Sequence, residues 1–348
     1  MPKIEAVATA LPKNVVTQAQ ARAECEKLYA DDPRVLRLLR VFDSGVVTRH
    51  FAFPPEYYLS KRSFEERNAD YVEQATALAE SAARECLDRA GVSADAVDHL
   101  FFVTTTGLAT PSVDALLAPR LGLRKEARRW PLFGLGCAAG AGGLIRACEV
   151  LRGHPKQRAL VVSVELCGQV FAMGAKNPTD IVGAALFGDG AAAVLLAGDD
   201  VQAAGPRIEA THTELFEDSK HIMGWDFTSD GMRLVLSKDV GDLVKRRLRP
   251  VVERFLRSTA LALRNLDYWI LHPGGRRIID AYREAFECDD SLLRWTRNSL
   301  ARVGNLSSAS VLFTLKDVLD EARPSAGEKG IIVALGPGFS TEMLVLGW

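Results

Sequence analysis

The sequence predicts a layered α/β protein built from two related halves. Three observations predict it. Short, almost wholly apolar runs recur along the chain, as expected of strands covered on both faces. Stretches with apolar residues three and four apart alternate with those runs, as expected of helices laid on the sheets. The second half then repeats the order of the first.

Taken in order, the segment before about residue 60 is the least regular. Cys25 to Arg40 reads as helix, interrupted at Asp31-Asp32-Pro33. Tyr71 to Ala90 places Ala75, Leu78, Ala79, Ala82, Cys86, Leu87 and Ala90 at helical spacing, and Gly91 ends it. His99 to Thr104 is a short β-rich run. Gly140 to Arg152 is a helix after a glycine-rich turn, and Ala159 to Val164 and Ala191 to Ala197 are apolar strands. In the second half a helix spans Asp242 to Leu263, with a kink expected at Pro250. Leu266-Asp267-Tyr268-Trp269-Ile270-Leu271 then echoes Val97-Asp98-His99-Leu100-Phe101-Phe102. Gly304-Asn305-Leu306-Ser307-Ser308-Ala309 opens a helix as Gly136-Cys137-Ala138-Ala139-Gly140-Ala141 does. Both offsets are about 170 residues, close to half the chain, which is the mark of a duplication. Each turn-and-helix is followed by an apolar strand, Ala159–Val164 or Ile331–Leu335. A boundary at Gly198 to Gln202 divides the chain into halves 1–202 and 203–348, and their seam is the natural place for a site.

Composition removes other classes. The 348 residues are 48% hydrophobic and 25% charged, ordinary for a globular protein. Lysine plus arginine is 43 against 44 acids, a net charge of −1, so a nucleic-acid partner is not expected. The richest apolar stretch, Gly183 to Gly198, is broken by Asp189, so no membrane span is expected. Six cysteines without a CxxC pair or a His/Cys cluster form neither a disulfide framework nor a metal site. With no secretory signal evident, a reduced, cytoplasmic location is expected.

Three polar residues stand at the ends of the repeated elements. Cys137 lies at a strand-to-helix turn among small residues, where a helix dipole favours a thiolate. His272 follows a strand and precedes Pro273-Gly274-Gly275, so it projects from the strand end. Asn305 begins the helix that mirrors the one after Cys137. A sulfur nucleophile, an imidazole and an amide donor form a set suited to acyl transfer. Each residue alone has a plainer reading as core packing, a structural hydrogen bond or a helix cap. Their shared place in the repeat raises the catalytic one. Cys25, Cys86, Cys148 and Cys288 read as packing, and the other histidines as structural or surface.

GCAAG at Gly136–Gly140, VGAALFGDGAAA at Val182–Ala193, WILHPGG at Trp269–Gly275, GNLSSASVLF at Gly304–Phe313 and GPGF at Gly336–Phe339 together resemble the type III polyketide synthases. This is the chalcone-synthase-like family with a thiolase fold, a layered αβαβα arrangement of two duplicated halves. The resemblance implies that Cys137 is the nucleophile, with His272 and Asn305 as partners and Phe187 as a gatekeeper at the cavity. The second gatekeeping phenylalanine of plant members has no clear match; Leu234 stands in that shortened segment. The plant GFGPG loop reads Ala334-Leu335-Gly336-Pro337-Gly338, and both departures point to a bacterial-type member.

The resemblance also implies the substrates and partners. An acyl-CoA starter acylates Cys137, malonyl-CoA supplies two-carbon units by decarboxylation, and the product cyclises, without a metal or redox cofactor. Thr106 and Cys167 match the pair that admits long fatty acyl starters in alkylpyrone- and alkylresorcinol-forming enzymes. A naphthalene-forming relative is expected to carry cysteine where Thr106 sits. Thr110 matches a residue that reaches into the neighbouring subunit, so a homodimer is expected. Arg49 lies in a segment similar to the basic coenzyme A entrance. A β-ketoacyl-carrier-protein synthase of the same fold is the alternative, and so is a type III enzyme that starts from malonyl-CoA or an aromatic thioester. A non-catalytic partner subunit is disfavoured by the intact Cys137, His272 and Asn305.

Overall fold

The computed structural model describes residues 1–170, 178–228 and 231–348. In chain order its strands are β1 (Lys3–Ala10), β2 (Asn14–Thr17), β3 (Thr48–Phe51), β4 (His99–Val103), β5 (Arg128–Leu132), β6 (Arg158–Leu166), β7 (Asp189–Ala197), β8 (Arg207–Leu215), β9 (Met223–Thr228), β10 (Gly231–Leu236), β11 (Tyr268–Leu271), β12 (Lys329–Gly336) and β13 (Ser340–Gly347). Nine of them run in the order β11-β12-β13-β8-β1-β7-β6-β4-β5. The two halves of that row meet at β8 and β1 through one residue pair, Lys3 and Arg207.

The duplication is visible in the pairing. β4 and β6 are parallel, β6 and β7 antiparallel, and β7 and β1 antiparallel. In the second half β11 and β12 are parallel, β12 and β13 antiparallel, and β13 and β8 antiparallel. Only β5, on the outer edge of the first half, has no counterpart in that row.

Strand alternation builds the layers. Val161, Val194, Ile332 and Leu344 point to a central core shared with the helices Ala139–Gly153 and Ser310–Asp317. Their neighbours Val162, Ala193, Val333 and Val345 point outward. The first pair meets the helix Phe64–Ala90 and the second the helices Val240–Ser258 and Arg276–Phe286. The result is the thiolase-like αβαβα stack, and a strand covered on both sides must be apolar on both.

Three helix boundaries differ from the sequence reading; the helix expected from Cys25 begins at Gln18, after its N-cap Thr17. The helix expected from Tyr71 begins at Phe64, because Ser63 and Glu66 form a reciprocal capping box. The helix expected to reach Leu263 ends at Ser258; it runs through Pro250, and Ala260 turns to a φ of 58°.

The repeat register also shifts. The 3₁₀ turns Gly136–Ala138 and Ser307–Ala309 each lead straight into a central helix, and Gly136 and Ser307 share a φ of 49°. The position equivalent to Cys137 is therefore Ser308, three residues beyond the alignment that the motif glycines suggest. Asn305 stands just ahead of the second turn.

Candidate active site

The two turns pack back to back where the halves meet. A Cβ on Gly140 would lie 2.1 Å from the Ser308 carbonyl oxygen, so only glycine permits this approach. Gly136 combines its positive φ with a second constraint, since a Cβ there would sit 2.3 Å from Pro337 Cδ. The GCAAG and GPG motifs are thus two sides of one contact, which seats Cys137 at the seam.

Cys137, His272 and Asn305 line one cavity of about 1020 Å³. Cys137 Sγ lies 3.6 Å from Ser307 Oγ. Burial pushes the Cys137 thiol up to about 12; the Ser307 hydroxyl opposes that rise and the nearby Glu165 carboxyl adds to it. Desolvation therefore opposes the thiolate that the helix start favours.

His272 extends the end of β11, its N–H donating to the Val333 carbonyl at 2.9 Å. Its own carbonyl accepts from Gly274 N–H at 2.9 Å and from Tyr282 Oη at 3.2 Å. Burial drives the imidazole down to about 4, so it is neutral. Its Nδ1 is buried with no hydrogen-bond partner among the described residues. Asn305 Oδ1 accepts from Ser307 N–H at 2.8 Å and from Ser310 Oγ at 3.2 Å. With the oxygen committed, the Nδ2 donors are the end of the amide that remains for a bound carbonyl.

Phe187, Leu234 and Pro337 also line the cavity; Gly336 and Gly338 flank Pro337 without lining it. Asn305 staples Phe187 in place. Asn305 N–H donates to Leu186 O at 2.8 Å, and Gly188 N–H donates to Asn305 O at 3.0 Å.

The other assigned residues lie elsewhere. Arg49 is not at an entrance: its side chain is buried, and the guanidinium donates to the carbonyls of Ala184 and Phe187. A cation so placed holds the Phe187 segment and has no face for a coenzyme. Thr106 and Cys167 are buried outside the cavity lining. Thr106 Oγ1 donates to Glu165 at 2.8 Å and accepts from Leu166 N–H at 2.9 Å. Among the described residues it borders a separate recess of about 10 Å³. Thr110 is exposed, in the loop ahead of the helix Val113–Leu121.

Sequence reasoning missed three groups. Ser307 was inside a quoted motif, but only its positive φ reveals its approach to the sulfur. Glu165 lies in an apolar strand and accepts from Thr105 N–H at 3.0 Å, Thr105 Oγ1 at 3.1 Å, Thr106 and Ser308. The third is a rim of exposed cations, Arg37, Arg40, Lys238 and Arg277, brought together from three distant segments.

Residues 2–200 match the family described as chalcone and stilbene synthases, N-terminal domain, and residues 207–347 match its C-terminal domain. A 1,3,6,8-tetrahydroxynaphthalene synthase of Streptomyces peucetius subsp. caesius is 40% identical, over 99% of this chain and 93% of that protein. An alpha-pyrone synthesis polyketide synthase-like protein, Pks18, of Mycobacterium tuberculosis is 29% identical, over 97% and 89%. The crystal structure of the Streptomyces coelicolor A3(2) tetrahydroxynaphthalene synthase, a bacterial type III polyketide synthase, covers 99% of both chains with a TM-score of 0.95 at 29% identity.

Proposed function

The chain belongs to the chalcone and stilbene synthase family as a type III polyketide synthase, and from that premise we propose that it extends a long-chain fatty acyl-CoA with malonyl-CoA and cyclises the product to an alkylpyrone or alkylresorcinol. The observation that carries this reading is the single cavity on which Cys137, His272 and Asn305 converge. Its wall includes Val182, Met223, Trp225, Leu234 and Leu236, an apolar surface suited to an alkyl chain.

In this mechanism the starter carbonyl lies against Asn305 Nδ2 and the His272 ring. Neutral His272 accepts the Cys137 proton as Sγ bonds to the acyl carbon, and the proton leaves on the released coenzyme A thiol. Malonyl-CoA then loses carbon dioxide, and the same two residues donate to the enolate oxygen. The enolate carbon attacks the Cys137 thioester, and the bond to Sγ breaks to release a thiolate, which takes up a proton from solvent to restore the starting thiol. A neutral imidazole and a neutral amide suit this work, because the charge they stabilise appears only during reaction. Arg37, Arg40, Lys238 and Arg277 hold the coenzyme phosphates at the rim.

The long-chain reading leaves the Thr106–Cys167 route and places the alkyl chain along Trp225, Leu234 and Leu236. Each buried methylene contributes about 0.8 kcal/mol, so preference rises with chain length until the wall ends. A second reading, a tetrahydroxynaphthalene product, is favoured by the relative at 40% identity. Mass spectrometry of products from a panel of acyl-CoAs with malonyl-CoA separates them. Alkylpyrones or alkylresorcinols that lengthen with the starter support the first reading; a naphthalene product from malonyl-CoA alone replaces it.

A homodimer belongs to the same proposal. Leu108, Leu116, Trp130 and Phe133 are each more than a third exposed, around Thr110 and the uncovered edge of β5. An obligate partner would cover such a surface. Sedimentation at assay concentration should give twice 37.9 kDa, and a fully active monomer would contradict it.

A further inference from the structure

We propose that the basic surface around the cavity mouth docks an acidic carrier protein, which presents an acyl group to Cys137 on a phosphopantetheine thioester. The proposal rests on the reading of this site as an acyl-transfer centre.

The chain is nearly neutral overall, with 43 cations against 44 acids, whereas six cations and four acids line this cavity. Arg37, Arg40, Lys238 and Arg277 are exposed where they line the cavity, so they mark its mouth. The phosphates of coenzyme A need no more than these. Arg246 and Arg247 are exposed on the helix Val240–Ser258, whose first residues Val240, Gly241 and Asp242 line the same cavity. Arg246 and Arg247 directly follow Lys245, the last residue of this helix to line the cavity, and do not line it themselves. Neither arginine enters an ion pair among the described residues.

The acids of this face are mostly engaged. Glu284 binds Lys245 at 2.7 Å, Glu287 and Glu253 bind Arg249 at 2.8 Å each, and Asp280 binds Arg297 at 3.0 Å. Asp239 and Asp242 are the nearby acids without an ion pair among the described residues. The surplus cations therefore continue along this helix past the cavity lining, where a macromolecular anion would lie. Such rim charges act chiefly on encounter rate.

Phosphopantetheine is the arm common to coenzyme A and to carrier proteins, so one cavity admits both. In the transfer, the acyl carbon exchanges its bond to the phosphopantetheine sulfur for one to Cys137 Sγ. The Cys137 proton leaves on the freed phosphopantetheine thiol.

The test measures Cys137 acylation in the full chain by intact-protein mass spectrometry. The acyl group is the one used best in the acyl-CoA panel, delivered on coenzyme A, on an acidic acyl carrier protein, or on pantetheine alone. The carrier should exceed pantetheine at least tenfold in kcat/KM, and the advantage should shrink with added salt. Arg246→Glu with Arg247→Glu should lower the carrier rate tenfold or more while leaving the acyl-CoA rate within twofold. A carrier no better than pantetheine, or equal losses with both donors, would overturn the docking surface. Failure of every donor, acyl-CoA included, would instead overturn the acyl-transfer reading.

Discussion

In the first half, the turn ahead of the central helix holds Cys137 facing the cavity; in the second half, the same turn holds Ser308. The Ser308 hydroxyl donates to the buried Glu165 and lies 2.8 Å from Ser163 Oγ. One backbone geometry serves a nucleophile in one copy and a polar clasp between the halves in the other. The second half supplies its chemistry from the flanks instead, with His272 from a strand end and Asn305 from just before the turn. Duplication therefore preserves the frame, while the reacting groups come from unequal positions.

The largest effect should separate the two turns. Cys137→Ala should abolish condensation, a loss of about 10⁴-fold or more, because no other thiol among the described residues lines the cavity. Ser308→Ala should keep turnover but lower stability by about 1–3 kcal/mol, since Glu165 loses a donor inside the core. Thermal melts and initial rates on both variants check this. Full stability with lost turnover in Ser308→Ala would erase the division between the halves.

Next in size are the flanking groups. Asn305→Ala removes one donor to a developing oxyanion and should cost about 10²–10³ in malonyl-CoA decarboxylation. Acylation of Cys137 should remain detectable by mass spectrometry. Wild-type decarboxylation would reduce Asn305 to the backbone staple that it also forms with Leu186 and Gly188.

Much of this was legible in the sequence, for identifiable reasons. Apolar runs betray strands covered on both faces, so β6, β7 and β12 announce themselves. The paired turn motifs betray the duplication. The three-residue shift was hidden because glycine marks a close approach in one copy while Ser307 takes the same φ without being glycine. Arg49 misled because a basic residue near the entrance motif looks exposed; burial is decided by β3 and by the Ala184 and Phe187 carbonyls, far away in sequence. The cation rim was invisible for the same reason. Thr106 looked like a cavity residue because size alone cannot tell a tunnel wall from a threonine that binds a buried carboxylate.

A third comparison sets Gly136 against Ser307, two residues at one φ. Gly136→Ala adds left-handed strain and a clash with Pro337, and should destabilise by about 2–5 kcal/mol. Ser307→Gly should relieve backbone strain, leave stability within about 1 kcal/mol, and remove the hydroxyl near Sγ. Denaturant melts give both values. A strongly destabilised Ser307→Gly would mean that its hydroxyl, and not its backbone, holds the turn.

The smallest effect is a pH response that differs between the halves. His272 titrates near 6.5 in the unfolded chain and at about 4 when buried. The unfolded state therefore gains this proton first as pH falls, and stability declines from about pH 6.5 down to about pH 4, by at most about 3 kcal/mol. In the first half the buried carboxyl of Asp189, raised from 3.8 to about 6, works with the opposite sign. Its folded form holds the proton more tightly, so acidification through pH 6 favours folding and the gain is complete below the unfolded value. The two contributions partly cancel in the wild type. His272→Gln removes one of them, so its stability relative to wild type should improve steadily as pH falls from 7 to 4. Urea melts at several pH values measure that difference directly. Parallel curves for the two proteins would show that His272 is solvated, and that the cavity does not hold its imidazole neutral.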